Sequence, residues 1–171
     1  MMNMKSLTDC YTLSNGVKIP CIGFGTWQTP DGEVTVSSVL SALQSGYRHI
    51  DTAQMYGNEG SVGAAVKQSG IDRRDIFITS KLANSIRGYR ETVDAVKQTL
   101  KLLDSDYVDL FLIHWPNPIK FRDRWQEANA ETWKALEELY EAGAIRSIGI
   151  SNFRPHHIEE LLKTAKIVPM V

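Results

Sequence analysis

Residues 47 to 59, YRHIDTAQMYGNE, join an apolar β-type run to groups that can carry protons. The run ends in Asp51, Tyr56 follows five residues later, and Gly57, Asn58 and Glu59 come next. Other apolar runs end in the same abrupt way. IFITS leads into Lys81, VDLFLI into His114, and SIGI into Ser151 and Asn152. A shorter run ends in Gly25, Thr26 and Trp27. An acid, a phenol, an ammonium and an imidazole make a proton-handling set. No G-x-S-x-G elbow supplies a nucleophile, and no H-E-x-x-H supplies metal ligands; His156 and His157 are adjacent, which is not metal-ligand spacing. Metal binding is therefore not expected.

Acid–base chemistry remains. An ammonium beside a phenol favours the phenolate. Bringing a phenol from its reference value near 10 to about 7 takes roughly 4 kcal/mol. Lys81 can supply much of that to Tyr56, and Asp51 can pair with Lys81 so that no buried charge stands alone. A neutral His114 can donate a hydrogen bond to a substrate carbonyl and aim it. Such a relay suits carbonyl reduction: hydride reaches carbon and Tyr56 protonates oxygen. The hydride calls for a nicotinamide. No G-x-G-x-x-G opens a helix, and Gly23-x-Gly25 runs into Thr-Trp instead. Ser151 and Asn152 are suited to holding a carboxamide through hydroxyl and amide hydrogen bonds.

Each residue also has a plainer reading. Asp51 could cap a helix, Lys81 could be solvated, and His114 and Tyr56 could be packing residues. These readings lose force if all four meet on one face, and the order of elements says they should. Asn15-Gly16 within YTLSNGVKIP predicts a hairpin over 11–20 with a type I′ turn. Strands are then expected to begin near 21, 47, 76, 107 and 145. Helices are expected over about 33–45, capped by Asp31, and from Asn58 as cap to about 68. Further helices are expected over about 90–103, 129–142 and 155–165, the last with Ile158, Leu161, Leu162 and Ala165 as its apolar stripe. Pro116 and Pro118 open a long loop. Val168 to Val171 reads as the opening of another strand. Strict βα alternation predicts an α/β domain with a parallel sheet and right-handed crossovers. In such a sheet all C-terminal strand ends share one face. No linker divides 1–171, so a single domain is expected.

The chain has 171 residues and a net charge of −1 without long runs of one sign, which makes nucleic acid or a membrane surface an unexpected partner. MMNMKSLTD lacks the apolar segment of a secretory signal, and Cys10 and Cys21 are too few for a disulfide framework. Reduced thiols and a cytoplasmic location follow as expectations.

At this point the residues resemble a known family. GFGTW (23–27), GYRHIDTAQMYGNE (46–59), the lysine of ITSK (78–81), DYVDLFLIHWP (106–116) and GAIRSIGISNF (143–153) look like the signatures of the aldo-keto reductases, in order. The likeness is greatest to bacterial members related to diketogluconate and glyoxal reductases. It implies a (β/α)8 TIM barrel, of which the hairpin, five βα units and the start of strand 6 are present here. It implies reduction of a small aldehyde or ketone to an alcohol with NADPH, NADH being the alternative. In this resemblance Tyr56 is the proton donor, Lys81 the partner that tunes it, Asp51 the acid on that lysine and His114 the group that orients substrate. Gly25, Thr26, Asp51, Ser151 and Asn152 fall on the cofactor side, while Trp27, His114 and Trp115 wall the substrate pocket. The complete form is expected to be a monomer. The portion alone is expected to be weakly active and to self-associate through exposed strand edges. A non-catalytic NADP-binding barrel, and a barrel using Lys81 as a Schiff base, are the alternatives.

Overall fold

The computed structural model describes residues 4–171. Strands β1 (Cys10–Thr12) and β2 (Lys18–Pro20) form an antiparallel hairpin. Five strands then make a parallel sheet in chain order: β3 (Phe24–Gly25), β4 (His49–Asp51), β5 (Phe77–Leu82), β6 (Leu110–Ile113) and β7 (Ile148–Ile150). Helices α1 (Glu33–Gln44), α2 (Glu59–Gln68), α3 (Tyr89–Leu103) and α4 (Trp125–Glu141) form the crossovers, and α5 (Pro155–Leu162) follows β7. This is the expected α/β architecture. Met170 N donates to Ile148 O at 3.0 Å and Ile150 N to Val171 O at 2.9 Å, so the last residues run alongside β7 as a strand would.

The period of two along each strand divides the sheet's faces. Ile50, Ile78, Phe111, Ile113 and Ile148 enter the main core with Val39, Leu43, Val62, Val66, Val96, Trp133 and Leu136 from the helices. The alternate residues Phe77, Leu110 and Leu112 form a second cluster, covered by Val17 and Ile19 of the hairpin. Counting onward in twos on this second face reaches Asp51, Lys81 and His114. Strand parity and parallel register therefore put these side chains on the same side.

Several local expectations give way to tertiary contacts. The hairpin turn is not type I′, because Asn15 keeps an ordinary φ and only Gly16 is left-handed at +86°. Gly16 N donates to Leu13 O and Leu13 N to Val17 O, making a three-residue loop. The Asn15 amide turns inward to Arg146 O at 2.9 Å and the Ser147 hydroxyl at 3.3 Å. Asp31 does not cap α1; Gly32 holds that position, and Asp31 Oδ1 accepts from the Ser61 hydroxyl at 2.6 Å. Asn58 precedes α2 without a side-chain cap. The loop after Pro116 is shorter than expected, because a 3-10 turn over Ile119–Arg124 runs straight into α4. Leu162 is exposed, since α5 packs through His157 and Leu161.

Two features tie the frame together. At the N-terminal ends of the strands, Asp109 is 2% exposed and accepts from Arg73 Nη2 at 2.8 Å, Arg146 Nη1 at 3.1 Å and Ile78 N at 3.0 Å. Between α2 and α3, Gly63 allows close approach: a Cβ there would lie 2.7 Å from Leu102 O and 2.8 Å from Leu103 Cα.

Candidate active site

Asp51 is the last residue of β4, and the chain leaves it through Thr52 and Ala53 into a short 3-10 turn over Gln54–Tyr56. Gly57, with φ +70°, closes that turn. Asn58 then holds the connection in place. Its Oδ1 accepts from the hydroxyls of Thr52 at 2.9 Å and Thr26 at 3.2 Å. Its Nδ2 donates to Thr26 O at 2.9 Å and Thr29 O at 3.0 Å. Asn58, Thr52 and Thr26 are wholly buried. The amide thus links the loop after β3 to the loop after β4, and a helix cap would have left one of these loops untied.

Lys81 sits one residue before the end of β5 and is 7% exposed. Its ammonium donates to Asp51 Oδ1 at 2.5 Å, to Thr52 O at 3.0 Å and to the Tyr56 hydroxyl at 3.4 Å. Tyr56 packs edge-on against His114, with ring centroids 5.9 Å apart. Asp51, Tyr56, Lys81 and His114 are therefore contiguous. Burial, and then the Lys81 ammonium, hold His114 below the ordinary histidine pKa, so the neutral ring is favoured. His114 Nδ1 is buried without a partner.

Of the remaining expected residues, Gly25 pairs in register with Asp51 and Asn152 reaches the His114 carbonyl. Asn152, in the left-handed region at φ +63°, donates from Nδ2 to His114 O at 2.7 Å and to the Ser151 hydroxyl at 2.9 Å. Gly25 is exposed, and a Cβ built on it would meet nothing within 4 Å. The Thr26 hydroxyl is committed to Asp51 O and Asn58, which makes it a brace of the turn and leaves it no free face. Trp27 and Trp115 are exposed large apolar side chains, at 68% and 47%. Among the described residues no cluster of three or more His, Cys, Asp or Glu could hold a metal ion.

Some participants escaped the sequence reading. Gln54 ties the 3-10 turn to the next loop, its Oε1 accepting from Ala83 N at 2.8 Å. Glu59, 4% exposed behind Lys81, accepts from the Ser80 hydroxyl at 2.6 Å, and burial pushes its carboxyl above the ordinary value. Period-two counting from Lys81 would have sent Ser80 to the helix side, where a polar partner is needed.

Residues 21–171 match the Aldo/keto reductase family over nearly the whole chain. The protein belongs to the aldo-keto reductases. It is 48% identical over 166 residues to the glyoxal reductase of Bacillus subtilis (strain 168), covering 97% of this chain and 57% of that enzyme. It superposes on an aldo/keto reductase from Brucella melitensis with a TM-score of 0.89 at 47% identity, covering 96% of this chain and 61% of the other. A Bombyx mori aldo-keto reductase in complex with NADP gives a TM-score of 0.84 at 33% identity, covering 97% of this chain and 57% of the other. The chain thus spans a little over half the length of the relatives it matches. No helix of the described residues is long and apolar enough to cross a membrane.

Proposed function

We propose that this chain carries the acid–base centre of an NADPH-dependent reductase that converts a small aldehyde or ketone to an alcohol. The observation that supports it most is the contact of one ammonium, Lys81, with both Asp51 and the Tyr56 hydroxyl. When bound, a nicotinamide would supply the hydride that the carbonyl carbon accepts. Tyr56 donates its proton to the carbonyl oxygen. Lys81 stabilises the phenolate left behind, and Asp51 holds the ammonium in place. His114, neutral, donates a hydrogen bond to the carbonyl and orients it. Trp27 and Trp115 supply the apolar walls that exclude water.

The residues present fit a nicotinamide. Ser151 and Asn152 offer a hydroxyl and an amide at the end of β7, beside the His114 carbonyl. Gly25 leaves open space at the end of β3, so a flat ring could approach the backbone there and near Asp51. Thr26 acts through the shape of its turn. The NADP held by the Bombyx mori relative makes NADPH the cofactor to test first.

The test replaces Tyr56 by Phe and follows NADPH consumption with a generic aldehyde. Removing a positioned proton donor should lower turnover by about 100-fold to 10,000-fold, with NADPH binding unchanged. Turnover at the parent rate would rule out the assignment of Tyr56. The whole protein is expected to work as a cytoplasmic monomer. The 171-residue chain alone is expected to associate through strand edges such as β3; a monomeric mass in sedimentation would contradict that.

A further inference from the structure

Arg87 is 3% exposed and pairs with no carboxylate among the described residues. Its Nη1 donates to Ala83 O at 3.2 Å and Ile86 O at 2.5 Å, and its Nη2 donates to Trp115 O. Its Nε is buried without a partner. Burial holds the guanidinium down to a pKa of about 10. Desolvating an unpaired cation is costly, and a neutral side chain would fill the same space with less loss. The guanidinium therefore does something that volume alone does not.

Asn129 acts beside it. It is 2% exposed, and its Nδ2 donates to Pro116 O at 2.8 Å. Two buried side chains, one from the loop before α3 and one from α4, thus hold consecutive carbonyls of a segment outside the strand ladder. That segment begins one residue after His114 and carries the exposed Trp115. With Asn84, Pro118 and Ile119 it lines an open cavity of about 500 Å³.

We infer that Arg87 and Asn129 are positioning residues that fix the Trp115 and Pro116 carbonyls and so set the shape of the substrate cleft beside His114. The fork geometry of a guanidinium suits this, because it delivers several fixed donors to carbonyls in different loops. The inference rests on the reductase reading only for its kinetic consequence; the ordering of Trp115 stands without it.

The experiment uses the whole protein as parent and isolates the Trp115 emission as the difference between each protein and the same protein carrying Trp115→Phe, KM being read on the proteins that keep Trp115. Arg87→Met should lower the fluorescence anisotropy of Trp115 and raise KM for p-nitrobenzaldehyde about tenfold, with kcat kept within about threefold, as expected when a ground-state binding wall is lost. Arg87→Lys should recover part of both, and Asn129→Ala should move both in the same direction as Arg87→Met. A folded Arg87→Met protein with the parent's anisotropy and KM would overturn the inference, leaving Arg87 as a brace of the fold. If Arg87→Met does not fold, Asn129→Ala decides in the same way. Failure of the parent to reduce the aldehyde would count against the reductase reading, and the anisotropy comparison would still decide the role of Arg87.

Discussion

The ammonium of Lys81 lies 3.4 Å from the hydroxyl of Tyr56 while it donates to Asp51 at 2.5 Å. Replacing Lys81 by Met keeps the length of the side chain and removes the charge. Turnover should fall about 100-fold or more, because the phenolate loses its counter-charge at the moment it forms. NADPH binding should be unchanged, because the loss falls on the proton-transfer step. A Lys81→Met enzyme with the parent's pH–rate profile would remove Lys81 from the proton relay.

Asn58 makes four hydrogen bonds to three threonines in a wholly buried place. Asn58→Ala strands the Thr52 hydroxyl, while the Thr26 hydroxyl keeps Asp51 O, Thr26 O keeps Thr29 N and Thr29 O keeps the Thr35 hydroxyl. Leaving one buried polar group unpaired costs about 1–3 kcal/mol, and the other lost bonds add to it, so a loss of about 2 kcal/mol is expected. Urea denaturation measures it. A change under about 0.5 kcal/mol would mean that water replaces the amide without loss.

At the opposite end of the sheet, Asp109→Ala leaves Arg73 and Arg146 without their shared carboxylate. Breaking a buried pair costs about 3–5 kcal/mol, and partial exposure of Arg146 places this case near about 3. Because this network lies at the N-terminal strand ends, the proton-transfer rate of the folded protein should stay within about twofold. A large kcat loss in a stably folded variant would contradict that separation.

Acid should destabilise the fold through its histidines. His49, His114 and His157 are each held below the ordinary value, burial being the largest cause for all three. A histidine depressed on folding binds its proton less readily in the folded than in the unfolded state. Its contribution is complete above the unfolded value of about 6.5 and is lost as pH falls from there towards the folded values. Glu59 works in the opposite sense, since its raised carboxyl favours the fold once protonated. In a Glu59→Gln background the melting temperature should fall between about pH 7 and pH 5. A melting temperature that stays flat or rises as pH falls over this range would be inconsistent with neutral rings at His49, His114 and His157.

The sheet order and the shared face of Asp51, Lys81 and His114 were legible, because βα alternation and period-two patterning are strong local signals. The side-chain bonds that hold the site were not. Asp31 and Asn58 have the residue types of helix caps, and nothing nearby in sequence says that Ser61 and the threonines will claim them. Asn15-Gly16 looks like a tight turn, yet Arg146 and Ser147, far along the chain, take the asparagine amide. Arg87 in NSIRGY looks like a solvated cation, because burial of a charge depends on two loops that meet only in the folded molecule.

Gly63 links scaffold packing to chemistry at a distance. The helix that carries it starts three residues after Tyr56, and the helix it touches starts eight residues after Lys81. A single methyl group at this contact would act as a wedge, prying apart the two supports from which phenol and ammonium are hung. The distance over which a proton is shared would thus be governed by a place where no atom can be added.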